Sequence, residues 1–392
     1  MKMKFSLRAL VFWTHLAVGL TAGIVVFALA LTGALLAFER PIVAASDARV
    51  FGKLTPTATT IPINQLIART EQTAGQAVTT VAVPAGTTSA IALTVGRDQV
   101  YLANPDTGEI KGPASAGLRG FFEQLTGLHR WFGLSGASRK TVTVVKGWFT
   151  LGFVFLILSG WLLWLPVRWT PQALRVRMRP GWAQTARARE YNWHHSFGLW
   201  LSVPLLVVTA TGVIMALPWA NSLLFRATGS PVPVQQQERD GKGGSARDGE
   251  RPQQSKQAAQ QLGKQKDCHK QVSVIDYGQI IDAARAQADA WKTLQLRVPE
   301  NGAHTAQVIA DNGNGAQPEH RTTLVFRPSG QLDHVEQPTD QSPGRRARAY
   351  IRFLHTGEVY GFAGETIALL ACLAAMILVY TGIALALRRF LR

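Results

Sequence analysis

The chain has 392 residues, a formal net charge of +17 and a mean hydropathy of +0.06, so it is long enough for more than one domain. Its cations fall in short runs beside four apolar blocks, the pattern of a membrane protein. No C2H2 spacing, recognition helix or RNP-like strand supports nucleic-acid binding. Cys268 lies in a polar stretch and Cys372 in an apolar one, so a disulfide between them is not expected. The absence of CxxC and CxxCH from the sequence excludes thiolate clusters and covalent haem attachment.

The first apolar block runs from about Leu10 to Phe38 behind Lys2, Lys4 and Arg8. A helix crosses the hydrocarbon core in roughly 20 residues. A secretory signal has an apolar region roughly half as long as this block, so the expectation is an uncleaved anchor. The next segment predicts a helix after Ile61, strands near Val78–Val83 and Ile91–Val95, and a strand Val100–Ala103 entering the turn Asn104-Pro105-Asp106-Thr107-Gly108. The second apolar block spans about Thr143 to Leu165. A basic loop follows, with Arg168, Arg175, Arg177, Arg179, Arg187 and Arg189 against the single acid Glu190. The third block is His195 to Leu217. Beyond it come a polar stretch at 235–267 that reads as a disordered insertion, a helix around Tyr277–Ala288, and strands near Leu294–Val298 and Ala306–Ala310. A last strand, Leu324–Phe326, turns at Pro328-Ser329-Gly330. The fourth block, Ile367 to Leu387, ends in Arg388, Arg389 and Arg392.

The three basic segments lie on one side of a four-span chain, and that side is expected to be the cytoplasm of a bacterial inner membrane, with both termini there. The expected division is a transmembrane helix at 1–39, an outer module at 40–135, a second helix at 136–168 and a cytoplasmic loop at 169–191. A third helix at 192–219, a second outer module at 220–350 and a fourth helix at 351–392 complete it. The fold class is thus a membrane α-helical bundle of four transmembrane helices carrying two small α+β modules.

The halves repeat. His15 is followed by Gly19 and by Thr32-Gly33, and His194 by Gly198 and by Thr211-Gly212 at the same offsets. Leu128-His129 precedes the second span and Leu354-His355 the fourth. The plan span–module–span therefore occurs twice, an internal duplication.

These histidine and Thr-Gly spacings, the Leu-His pairs and the two outer modules resemble the PepSY-associated transmembrane family, which includes iron-regulated membrane proteins and ferric-siderophore reductases. The resemblance covers nearly the whole chain apart from the Gln-rich insertion; its architecture is specific and its single motifs are short. It implies PepSY-like outer modules, non-covalent haem in the membrane and electron transfer toward the periplasm.

Ionisable groups at membrane depth usually mark function. His15 and His194 lie toward the cytoplasmic face, and His129 and His355 toward the outer face. A b haem takes two axial ligands and an apolar slot, which one imidazole from each of two facing helices supplies. The expected ligands are His15 with His194 for an inner haem and His129 with His355 for an outer one. His195 competes with His194, and the offsets to Gly198 and Thr211 favour His194. Arg130 and Arg352 have two readings, pairing with haem propionates or anchoring lipid headgroups. The Thr-Gly steps, including Thr381-Gly382, are expected to let helices approach, and the tryptophans around spans two and three to form interfacial belts. His269, His304, His320 and His334 are expected to be solvated.

No Gly-rich dinucleotide fingerprint is present, so the donor would be a separate protein, a soluble reduced flavin or a membrane quinol. The expected partners are the lipid bilayer, that donor and a ferric siderophore or other ferric chelate reduced outside. The rival reading is a membrane-anchored binding or regulatory protein without redox activity. A transporter is disfavoured by the small span count and by the expected lack of a Gly/Pro-broken helix pair or an acidic intramembrane residue.

Overall fold

The computed structural model describes residues 7–55, 60–86, 88–166, 169–182, 185–233, 275–299 and 305–391. The insertion at 235–267, Cys268, His269 and His304 lie outside the described residues. In chain order, helix α1 (Leu7–Leu36) leads into α2 (Glu39–Phe51) and α3 (Ile63–Ala74), then strands β1 (Val78–Pro84), β2 (Ile91–Val95), β3 (Gln99–Ala103) and β4 (Ile110–Lys111). Helices α4 (Ala116–Trp131), α5 (Ser138–Trp164), α6 (Pro171–Met178), α7 (Ala186–Trp200), α8 (Ser202–Ala216) and α9 (Pro218–Ala227) follow. The chain continues through α10 (Tyr277–Gln287), β5 (Thr293–Arg297), β6 (Ala306–Asp311), β7 (Arg321–Phe326) and β8 (Leu332–Glu336) to α11 (Pro343–Thr356) and α12 (Gly361–Phe390).

Among the described residues three helical stretches are long and apolar enough to cross a membrane, those built on α1, α5 and α12, and a fourth if α7 and α8 count as one span. That pair is bent by 68° at Leu201, with Pro204 just beyond the break. The bend corrects the expectation of an unbroken third span, because Pro204 lacks the N–H that an α-helix would direct at the carbonyl four residues back. Contacts define the two faces of the bundle. Arg8 on α1 donates to the Leu163 and Leu165 carbonyls at the end of α5, 3.1 and 2.7 Å away, and Arg177 reaches the Trp164 carbonyl. Arg388 on α12 forms a two-pronged ion pair with Glu190 on α7, at 2.9 and 3.0 Å. These elements make one end, the terminal face. The other end carries the sheet.

The strands of both outer segments form one eight-stranded antiparallel sheet in the order β4-β3-β2-β1-β5-β6-β7-β8. Each segment adds a fourth strand to the three expected. The modules do not stand apart: β1 pairs with β5 from Thr80↔Arg297 to Pro84↔Thr293. An unpaired β1 or β5 would leave a row of open backbone groups, and the join removes both edges. Side chains alternate across a strand, and the buried face makes a continuous row: Tyr101, Leu93, Val81, Leu296, Val308 and Leu324 pair in turn across β3, β2, β1, β5, β6 and β7. A bulge between Val78 and Thr80 lets both Val78 and Val81 face inward despite their odd spacing.

Helices α3 and α10 cover that row. Ile63, Leu66, Ile67 and Thr70 recur on one side of α3, and Ile280, Ile281 and Ala284 on one side of α10. Asp276 starts α10 by accepting from the Gly278 and Gln279 amides, and left-handed Gly75 ends α3. Both helices and both strand sets share one core. Each fully buried Leu or Ile contributes about 1.5–3 kcal/mol, so the two halves stabilise one core together.

The sheet is fastened to the bundle at the corner between α11 and α12. Arg40 pairs with Glu358 at 2.7 Å and donates to the Gly315 carbonyl, while Asn314 and Gln317 donate to the Glu358 and Val359 carbonyls. The corner is tight: Gly357 has φ +80°, and a Cβ on Gly364 would lie 2.1 Å from the Gly357 oxygen. Glu365, only 7 % exposed, sits in the second turn of α12. Glu190, also buried, belongs to the expected basic loop, and Glu365 precedes the fourth apolar block, so both lie outside the apolar blocks read as spans. The bend at Leu201 removes the broken-helix argument against a transporter, and the span count remains.

Candidate functional site

The bundle contains one local construction four times. A Ser or Thr on a membrane helix is followed by Gly, and an imidazole from another helix seats its Nδ1 on the hydroxyl. His15 of α1 meets Ser159 of α5 at 2.7 Å, and His129 of α4 meets Thr32 of α1 at 2.8 Å. His194 of α7 meets Thr381 of α12 at 2.9 Å, and His355 of α11 meets Thr211 of α8 at 3.0 Å. The following glycine lies beside the ring. A Cβ on Gly33, Gly160, Gly212 or Gly382 would lie 3.5, 3.8, 3.3 or 3.4 Å from the Cε1 of its histidine. The Thr-Gly steps were expected to serve helix packing, and Gly33 and Gly212 do lie against Cys372 of α12 and Thr150 of α5; each Thr-Gly glycine also faces an imidazole.

Proton counting fixes the tautomer. A hydroxyl has one proton and two lone pairs. Ser159, Thr32, Thr381 and Thr211 each donate that proton to the carbonyl four residues back on their own helix, at 2.7 to 2.8 Å. With the proton there the oxygen accepts, which assigns a hydrogen to each Nδ1. The Val208 carbonyl, 2.9 Å from His355 Nδ1, requires the same of that histidine. All four Nε2 atoms thus keep a lone pair, and among the described residues none accepts a hydrogen bond. This is the form in which histidine binds a metal, with its other nitrogen held by an outer partner.

The structure brings His129 and His355 together, with ring centroids 6.4 Å apart and planes inclined at 54°. They lie on α4 and α11, separate helices whose last turns reach α1 and α8 at the sheet face. His15 and His194 lie toward the terminal face, on α1 and α7. His195 differs from His194: its Nδ1 donates to the Tyr191 carbonyl of its own helix at 2.9 Å, and its ring stacks on Tyr191. His320 and His334 are exposed, as expected.

Arg130 and Arg352 both flank the outer pair, exposed at the ends of α4 and α11. Arg130 lies 4.5 Å over the Trp131 ring and Arg352 lies 5.1 Å over Phe353. Partial burial, then the neighbouring Arg352 and Arg139 guanidiniums, pushes the Arg130 pKa below its ordinary value.

Sequence reasoning missed Ser159-Gly160, because Thr-Gly was the pattern sought; reading Ser and Thr alike gives one such step in each span. It also missed Lys146, whose Nζ donates to the His129 and Arg130 carbonyls at 3.2 and 3.0 Å and so closes α4 beneath the outer histidine. Trp164 lies four residues after Gly160, on the side of α5 that faces His15. Its indole N–H is buried and has no acceptor among the described residues.

The family model described as the PepSY-associated TM region matches residues 12–389. Comparison with curated proteins finds no match.

Proposed function

The chain belongs to the PepSY-associated TM region family, and from that membership and its four imidazoles we propose a two-haem electron conduit that reduces a ferric chelate outside a bacterial inner membrane. The observation that carries this reading is the repeated locking of Nδ1 by a Ser or Thr hydroxyl, which leaves four unprotonated Nε2 atoms in two groups, one near each face. An anchor for a binding domain gives no reason to hold four imidazoles in one tautomer.

The residues fit two b haems. Imidazole nitrogens bind metals at about 2 Å, and the His129 and His355 rings, with centroids 6.4 Å apart, are close enough to share one ion. His15 and His194 would hold the inner haem, and the buried Trp164 indole, which has no acceptor among the described residues, would be a donor beside it. Haem would supply one-electron chemistry. The chain's own residues hold each imidazole in its ligating tautomer, set a glycine beside its ring, and place cations beside the outer pair where carboxylates such as propionates would pair.

The same reading makes the chain a duplicated four-span protein with α7 and α8 as one bent span. The mirrored strand order on either side of the β1–β5 seam supports this, as does the fourfold histidine step. The terminal face, with its arginines, would be cytoplasmic, and the sheet would lie in the periplasm as two PepSY-like modules from 40–135 and 220–350. The donor on the cytoplasmic side would be a separate protein, a reduced flavin or a quinol.

A reduced-minus-oxidised absorption spectrum of protein purified from haem-replete cells tests the proposal. The expected result is sharp b-type bands that weaken in His15→Ala and in His355→Ala. A featureless wild-type spectrum overturns it.

A further inference from the structure

Four cations ring the outer imidazole pair. Arg130 and Arg139 both lie over the Trp131 indole, at 4.5 and 4.2 Å. Lys146 is fixed by the His129 and Arg130 carbonyls, and Arg352 stands close enough to Arg130 to perturb it. None of the four lies within ion-pair distance of a carboxylate among the described residues. Several other arginines do meet a carboxylate: Arg40 with Glu358, Arg119 with Asp47, Arg321 with Asp311, Arg327 with Asp333 and Arg388 with Glu190. Like charges held together without a counter-charge repel, and the cost persists until an anion arrives.

The cluster is also on the unexpected side. On the reading above this face is extracytoplasmic, where cations close to span ends are disfavoured. A single outer haem brings two propionates, which can neutralise two of the four. Arg139, at the start of α5 and exposed, is not needed for that pairing. The remaining positive field surrounds the place where the acceptor must come.

We propose that this rim, built from Arg130, Arg139, Lys146 and Arg352, is the docking surface for a soluble ferric chelate of net negative charge, a polycarboxylate or catecholate complex. The inference rests on the electron-transfer reading and names its acceptor class. A charged rim concentrates oppositely charged ligands at the site and repels cationic ones.

Redox-inert gallium(III) complexes test it without electron transfer. Full-length protein in nanodiscs of zwitterionic lipid is titrated calorimetrically with gallium(III) citrate, an anionic gallium(III) tris-catecholate, and the cationic gallium(III) complex of an amine-bearing trihydroxamate. The anionic complexes should bind at least about tenfold more tightly than the cationic one. Arg139→Gln should weaken them about threefold, as expected for an exposed charge, and high salt should weaken them further. Equal affinity for both charge types, or an unchanged affinity in Arg139→Gln, overturns the proposal. A parallel set in phosphatidylglycerol nanodiscs separates the other source of anions. If wild type, but not Arg139→Gln, retains that lipid in native mass spectra and binds no gallium complex in either disc, the rim is a headgroup anchor and the proposal fails. Sharp haem bands with no chelate binding sink this inference alone; chelate binding with no haem bands sinks the electron-transfer reading alone.

Discussion

Ser159→Ala is the most informative single change. Among the described residues, the Ser159 hydroxyl is the one hydrogen-bond acceptor of His15 Nδ1–H, at 2.7 Å. Thr211 differs, because His355 Nδ1–H also has the Val208 carbonyl at 2.9 Å. Leaving a buried donor unsatisfied costs about 1–3 kcal/mol, whereas trimming one of two acceptors costs about 0.5 kcal/mol, the low end for a net hydrogen bond. Removing the outer partner of a metal-bound histidine lowers metal affinity by about 10–100-fold. Ser159→Ala should therefore weaken the inner haem by about that factor, Thr211→Val should weaken the outer haem by no more than about threefold, and Ser159→Thr should be near wild type. The assay is the rate at which each haem is lost to excess apomyoglobin, followed in the Soret band, with His355→Ala and His15→Ala identifying the two phases. Equal losses in Ser159→Ala and Thr211→Val would refute the proton-counting argument, because both hydroxyls would then be equally dispensable or equally essential.

Gly147→Ala should separate α5 from α8, since a Cβ there would meet Leu217 Cδ2 at 2.6 Å and Ala216 Cβ at 3.0 Å; overpacking of this kind costs about 1–3 kcal/mol, to be read as a fall in Tm in detergent. Arg388→Gln leaves Glu190, 4 % exposed, without its partner, so it should destabilise more than the Arg388→Gln/Glu190→Gln double variant in the same assay; an equal or larger loss in the double variant would show that the pair itself is not what matters. Val83→Pro removes a donor that β1 directs at β5, since the Ala85 amide two residues on bonds the Lys292 carbonyl and alternate residues face the same neighbour. Hydrogen exchange should then accelerate together in β2 and β6, which share one core, and continued protection of β6 would mean that the halves fold independently.

The apolar blocks, their basic flanks and most strands could be read in the sequence because each is a local pattern. Strand β2 matches its expected limits, Ile91–Val95, since strict alternation marks a half-covered strand. The histidine repeats were legible because the offset from His15 to Thr32 recurs from His194 to Thr211. What those offsets meant was not legible: each Thr serves a histidine from a different helix, a relation that only packing creates. The β1–β5 pairing joins segments more than two hundred residues apart, and no local signal sets such a register. Helices α4 and α11 escaped notice because each carries its apolar residues on a single face, with Arg130 and Arg352 on exposed positions. The bend at Leu201 escaped because an apolar count is blind to direction.

The seam at the middle of the sheet bears on biogenesis. Ribosomes deliver β5 only after β1, helices α4 to α10 and a long polar stretch of sequence have been made. At about 5–20 residues per second, the edge of β1 that takes β5 stays open for roughly 10–40 s, a sticky ribbon waiting for a mate. During that interval the nascent protein is open to wrong partners, including the same strand on a neighbouring copy, so high-level expression should favour strand-exchanged dimers. Slowing initiation, which spaces the copies apart, should suppress them.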